Sequence, residues 1–190
     1  MSQHYYLLAT LPSLSPAVEH FPSTEAFLAL CRQWLTRGDL SLVENTTLIP
    51  AEATLNKLGN GLLRAWYNFE YGLRNEMARQ RAQKLNKDAT PYLRNTVHGQ
   101  EYQVDQHMAE SVRTALQASN PATAERIIDA LRWRSLEDLS FGHHFDIQAV
   151  QLYYLKLQIL ERASLFNRKV GEENYHQLYE AVVAKAKAAS

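Results

Sequence analysis

The chain has 190 residues, 20 Lys and Arg balanced by 20 Asp and Glu, a formal net charge of zero, one cysteine and 46% hydrophobic residues. A chain of this length buries roughly 70% of the surface that it exposes when unfolded, so a core without disulfides or a structural metal is within reach. The balance excludes bulk disorder, which needs low hydrophobicity and high net charge, and argues against an autonomous nucleic-acid binder, because no overall positive charge draws it to phosphate.

The opening run Tyr5 to Leu11 is too short to classify by periodicity, and Pro12 and Pro16 keep it from growing into a long helix. It reads as an extended or single-turn segment tucked into the core. No basic region precedes it, so it does not read as a signal peptide. A first helix is expected from Ser23 or Thr24, both able to cap, with Glu25 suited to the positive helix end. Phe27, Leu28, Leu30, Cys31, Trp34 and Leu35 recur at three- and four-residue spacing, and Gly38 is positioned to end the helix. Cys31 has no second cysteine to pair with and sits among apolar neighbours. That predicts a buried thiol acting as a small hydrophobe, and a reducing, cytoplasmic setting. Asp39 to Pro50 reads as a connector.

The longest helical signal runs from about Thr54 to Lys87, where Leu55, Leu58, Leu62, Trp66, Phe69, Leu73 and Met77 form one stripe. Gly59 and Gly61 mark a start or kink, since each costs about 1 kcal/mol relative to alanine inside a helix. A polar segment from Tyr92 to Gln103 follows, then a helix from about Val104 to Gln117. Asn120 can cap the next helix and Pro121 fits its first position. Ser135 to Asp138 reads as a capping-box-like restart within its continuation. Asp146 is expected to cap a helix from Ile147 to about Lys169 that Gly171 ends, and Glu172 to Ala188 to form a last helix. The whole predicts an all-α chain of about six helices in one compact domain over residues 1–190, with a possible sub-boundary near 90–103. No stretch approaches the ~20 apolar residues of a membrane helix, which predicts a soluble protein that a partner brings to any membrane.

No glycine-rich phosphate loop, GxSxG elbow or HExxH motif is present, so neither a catalytic residue nor a cofactor is expected. His143, His144 and Asp146 form the densest metal-ligating cluster, and His98 and His107 are further candidates. Adjacent histidines normally point apart, so a helix-capping or contact role is the simpler reading of that cluster. On the long helix, Glu70 and Arg74 share one face and Arg81 returns near the same azimuth, bordering the apolar stripe. Two readings fit: a partly buried ion-pair network that fixes how two helices dock, or a polar contact surface for a partner. From Arg64 to Arg94, seven basic residues face Glu70, Glu76 and Asp88, an excess of +4 that is too modest and too spread to predict RNA binding. Arg132 and Arg134 flank Trp133, a core anchor, so at least one of them faces solvent or an interface. Val150, Tyr153, Tyr154, Leu157 and Leu160 cover much of their helix, as expected of a central helix or one with a side reserved for another chain.

Phe141-Gly142 and the run from Asp146 to Arg162 resemble the C-terminal signature of the C-type subunit of V-type ATPases. More specifically, the chain is similar to a small family, itself like that C-type subunit, encoded in bacterial V-type ATPase operons. Three blocks carry this: His4 to Pro12, Glu70 to Ala82, and Leu131-Arg132-Trp133 through Phe145-Asp146. The C-type subunit proper is longer and has internal threefold similarity. The resemblance implies a non-catalytic coupling or assembly subunit, held between the central stalk and the membrane ring at the cytoplasmic face of the membrane. It would need no cofactor, no nucleic acid and no direct membrane insertion. Glu70, Arg74, Arg81, Arg132 and Arg134 are the candidate interface residues. The reading from a different class is a small metal-dependent hydrolase using His143, His144 and Asp146.

Overall fold

The computed structural model describes residues 3–49, 61–94 and 102–165. Within them the chain is all-α: helices α1 (Gln3–Thr10), α2 (Thr24–Trp34), α3 (Arg37–Glu44), α4 (Gly61–Lys84), α5 (Gln106–Gln117), α6 (Pro121–Leu139) and α7 (Ile147–Leu165), with a 3-10 turn at Thr90–Tyr92. The expected helices before Gly61 and after Gly171, and His98, lie outside the described residues.

Capping chemistry sets most of these boundaries. The Ser23 hydroxyl accepts from the Ala26 amide at 3.1 Å, the Asp105 carboxylate from Met108, and the Asn120 side chain from Ala122 with Pro121 beginning the helix. Asp146 accepts from the Ala149 amide at 2.8 Å, as its position predicts.

Three expectations are corrected. The Tyr5 to Leu11 run is helical as far as Thr10, neither extended nor a single turn: Pro12 stops the helix without preventing the turns before it, and Leu7 becomes fully buried. The supposed connector after Gly38 contains α3. Leu35 leaves α2 in an extended conformation, and Thr36 at once caps a new helix by accepting from the Asp39 amide, so Gly38 lies inside a first turn. Finally, α6 runs unbroken through Ser135 to Asp138. The Trp133 indole donates to Glu137 at 2.8 Å across the proposed restart, while Trp133 and Leu136 both stay in the core.

Packing centres on α7. Its Leu152, Leu155, Ile159 and Leu160 join the larger core with Trp66, Phe69 and Leu73 of α4, Met108 and Val112 of α5, and Ile128, Leu131 and Leu136 of α6. Val150 and Leu157, about 160° around the helix, pack instead with Leu7, Phe27, Cys31 and Val43 from α1, α2 and α3. The breadth of apolar side chains on α7 therefore serves two layers of the same chain. No helix among the described residues is long and apolar enough to cross a membrane.

Candidate functional site

Where α4 meets α6, Glu70 is fully buried, at 0% exposure, and Arg132 is nearly so. Arg132 lies close enough to Glu70 to donate from Nε to one carboxylate oxygen, while its Nη2 reaches the other at 3.3 Å. The remaining arm, Nη1, donates to Asp129 at 2.9 Å, one helical turn back on α6. This uses the planar fork of arginine, which a lysine could not reproduce. Arg74 approaches Glu70 from the rim at 3.6 Å. From α7, Arg162 pairs with Glu125 and lies 3.9 Å from Asp129. Three helices are thus joined by alternating charges.

Burial pushes the Asp129 carboxyl up, against the hydrogen bond and charge of Arg132. For Arg132, burial acts downward, but the Glu70 charge and the hydrogen bonds to both acids outweigh it and the guanidinium is raised. Burial lowers Arg74 and Arg162, since both sit at the edge of the network with weaker partners. Both oxygens of Glu70 are engaged, so the group is built to hold helices in register rather than to move a proton. A buried pair of this kind fixes geometry more than it adds net stability.

The five candidate interface residues accordingly divide. Glu70 and Arg132 turn inward and meet each other, so direct contact with another protein is closed to them; burial in the α4–α6 interface is the reason. Arg74 is half-buried at the rim, and Arg81 and Arg134 are exposed. Asp129, Glu125 and Arg162 complete the network and were not among the residues expected from the sequence. The spacing of Asp129 three residues before Arg132 was the available signal for the first.

A second assembly is aromatic. Tyr5 of α1 lies 4.8 Å from Phe145 in the α6–α7 turn, and Tyr6 stacks on Trp34 of α2 at 6.0 Å. Phe141, in the same turn, is 93% exposed. His4 bonds Asp39 at 3.2 Å, tying α1 to α3 beneath this face.

His143, His144 and Asp146 do not converge as a ligand set. His143 Nδ1 lies 2.6 Å from one oxygen of Asp146, whose other oxygen caps α7, while His144 is exposed. Among the described residues no group of three or more His, Cys, Asp or Glu side chains could hold a metal ion. His107 sits exposed on α5.

No curated protein and no solved structure matches the chain. A family model described as a protein of unknown function, DUF2764, matches residues 53–186. That span takes in α4 to α7, the buried charge network and the α6–α7 turn, and the chain belongs to the DUF2764 family.

Proposed function

We propose that the chain is a non-catalytic coupling or assembly subunit of a bacterial V-type ATPase, linking the central stalk to the membrane ring from the cytoplasmic side. The observation that carries this reading is how the three blocks that resemble the ATPase-operon family come together. Block one meets the end of block three through Tyr5 and Phe145, residues 140 positions apart in sequence. Block two meets the beginning of block three through Glu70 and Arg132. The resembling residues therefore make one internal lock and one aromatic surface.

Passing torque needs a body that does not shear and surfaces that grip. Charges alternating across α4, α6 and α7 suit the first need, because sliding α4 past α6 separates the buried Glu70–Arg132 pair and sliding α7 parts Arg162 from Glu125 and Asp129. Exposed aromatic side chains suit the second, since rings bury large area with little loss of conformational freedom. Phe141 and Trp34 are candidates there, with Arg81 and Arg134 as exposed charged contacts elsewhere.

The test is composition of the complex. With an affinity tag on a head protein of the ATPase in native cells, the purified complex is expected to contain this chain at fixed stoichiometry with stalk and ring components. A complete, active complex without the chain overturns the proposal.

A further inference from the structure

The C-terminal end of α4 carries three cations in a setting unlike the buried network. Arg81, Lys84 and Lys87 are exposed, and none pairs with a carboxylate among the described residues. Asp88, the nearest acid in sequence, is occupied by the Thr90 amide at 3.0 Å and the Thr90 hydroxyl at 2.8 Å.

The backbone here shapes a cleft. Asn86 adopts the left-handed region at φ 51°, and the Lys87 amide donates to the Ala82 carbonyl at 2.9 Å, which turns the chain back on the helix. The Thr90–Tyr92 turn then carries Tyr92 beside α4. The result is a cleft of 280 Å³ lined by Ala78, Arg81, Ala82, Leu85, Lys87 and Tyr92. Ala78 and Ala82 are small enough to leave its floor open. Leu85 is 64% and Tyr92 65% exposed. Cations at a helix C-terminus complement its dipole, which accounts for Arg81 and Lys84 but not for two large apolar side chains held in water beside them.

We propose that this cleft docks an acidic amphipathic helix of a protein partner, with its apolar side chains between Leu85 and Tyr92 and its carboxylates against Arg81 and Lys87. Charge complementarity argues for an acidic occupant, since two like charges, Arg81 and Lys87, line the cleft beside its apolar floor and no acid among the described residues lines it. The floor from Ala78 to Leu85 spans seven residues, about 10 Å at 1.5 Å per residue, enough for two turns of a crossing helix. A single-stranded nucleic acid would want successive stacking rings, and Tyr92 is the one ring lining the cleft. The cleft lies apart from the buried network, and although Arg81 is also a contact of the proposed subunit, docking here is read with this chain alone and needs no ATPase component.

Fluorescence anisotropy with the full chain tests it. The probe is a labelled model helix of about 15 residues, glutamate-rich with leucine and phenylalanine at three- and four-residue spacing. Binding is expected, weakened at least ~10-fold by Arg81→Glu with Lys87→Glu, and recovered when the glutamates of the probe are exchanged for lysines. Leu85→Ser with Tyr92→Ser is expected to weaken it to a similar degree. All four side chains are exposed, so far-UV circular dichroism should not change. The proposal is overturned if the acidic helix does not bind, if the variants leave binding intact, or if single-stranded RNA of matching length binds more tightly than the acidic helix.

Discussion

Toward α4 and α6, α7 presents Leu152, Leu155, Ile159 and Leu160 and two cations: Arg162, which joins the ionic network, and Lys156, whose ammonium lies 5.2 Å from the centre of the Trp133 ring. Toward α1–α3 it presents Val150 and Leu157 and grips by hydrogen bonds from longer polar side chains. Gln151 donates to the Thr46 hydroxyl at 3.0 Å and the Leu42 carbonyl at 3.3 Å, and Gln158 both donates to the Thr46 carbonyl and accepts from the Leu48 amide. Glu161 accepts from the Thr24 amide and hydroxyl, where α2 begins. One helix therefore holds two layers by different means. Charges lock the larger core, where losing one partner strands another in a dry site. Side-chain hydrogen bonds hold the smaller layer, from Gln151, which is buried with Thr46, and from the half-buried Gln158 and Glu161. The smaller layer also encloses fewer apolar side chains, so local opening should begin there.

The sharpest way to break this comparison is in the ionic core. Arg132→Ala leaves the buried Glu70 and Asp129 without their shared counter-charge, and is expected to cost about 3–5 kcal/mol in urea denaturation. Combining Arg132→Met with Glu70→Leu and Asp129→Asn should recover most of that loss, since both stranded charges are removed with their partner. A triple variant no more stable than Arg132→Ala would mean that the network supplies net stability and not only registry.

In the smaller layer, Phe27 lies between Tyr153 at 5.3 Å and Tyr154 at 5.5 Å. Phe27→Ala is expected to cost about 3 kcal/mol, with the loss confined to α1–α3. Cys31 reports on this directly. Burial pushes its thiol up to about 12, so alkylation at pH 8 requires the layer to open. The variant should be alkylated at least ~10-fold faster while amide exchange in α4 and α6 is unchanged. Equal acceleration of exchange in all helices would show one cooperative unit instead of two layers.

A smaller effect is expected at Gly72, on the α4 face against Tyr102. A Cβ built there would sit 2.4 Å from the Tyr102 ring. Gly72→Ala should therefore cost about 1–3 kcal/mol, and in a Tyr102→Ala background only part of that should be recovered, because the Tyr102 Cβ that alanine keeps would still lie 2.8 Å from the new methyl group. Thermal melts of the four-member cycle measure the coupling.

The smallest effect is pH-dependent. Burial acts to raise Asp146, but the His143 bond and the Ala149 amide outweigh it, and its carboxyl lies below the ordinary 3.8. A depressed folded value gives stability that is present above the unfolded value and lost as pH falls through the folded one. Melting temperature should therefore decline on acidification below about pH 4, and less so for Asp146→Asn, which keeps the cap but not the charge. An identical decline in the variant would remove Asp146 from the account.

The helices of the larger core were legible because their apolar spacing and caps agree: Asn120-Pro121 and Asp146 are local signals with local consequences. The short helices α1 and α3 were not. Each has eight residues, too few for periodicity to speak, and each is helical because Leu7 or Val43 finds a pocket supplied by distant parts of the chain. The site was half legible. Glu70 and Arg74 could be singled out as charges bordering an apolar stripe, and Arg132 as a neighbour of the core anchor Trp133, but whether such a charge faces water or another helix depends on tertiary packing. Arg162 comes from a third helix, 92 positions beyond Glu70, and no spacing rule connects them. The His143–His144 pair illustrates the converse: its density in sequence dissolves in space, because His143 turns to Asp146, the cap of the helix that follows.

The central functional claim is that this chain couples rotation to transport, and the most direct measurement is the number of ions moved per ATP hydrolysed. In membrane vesicles from native cells lacking the chain, ATP hydrolysis by the head is expected to persist while ATP-driven ion uptake falls at least ~10-fold, and the full-length protein should restore the ratio. An unchanged ratio of ions to ATP in its absence would contradict the account.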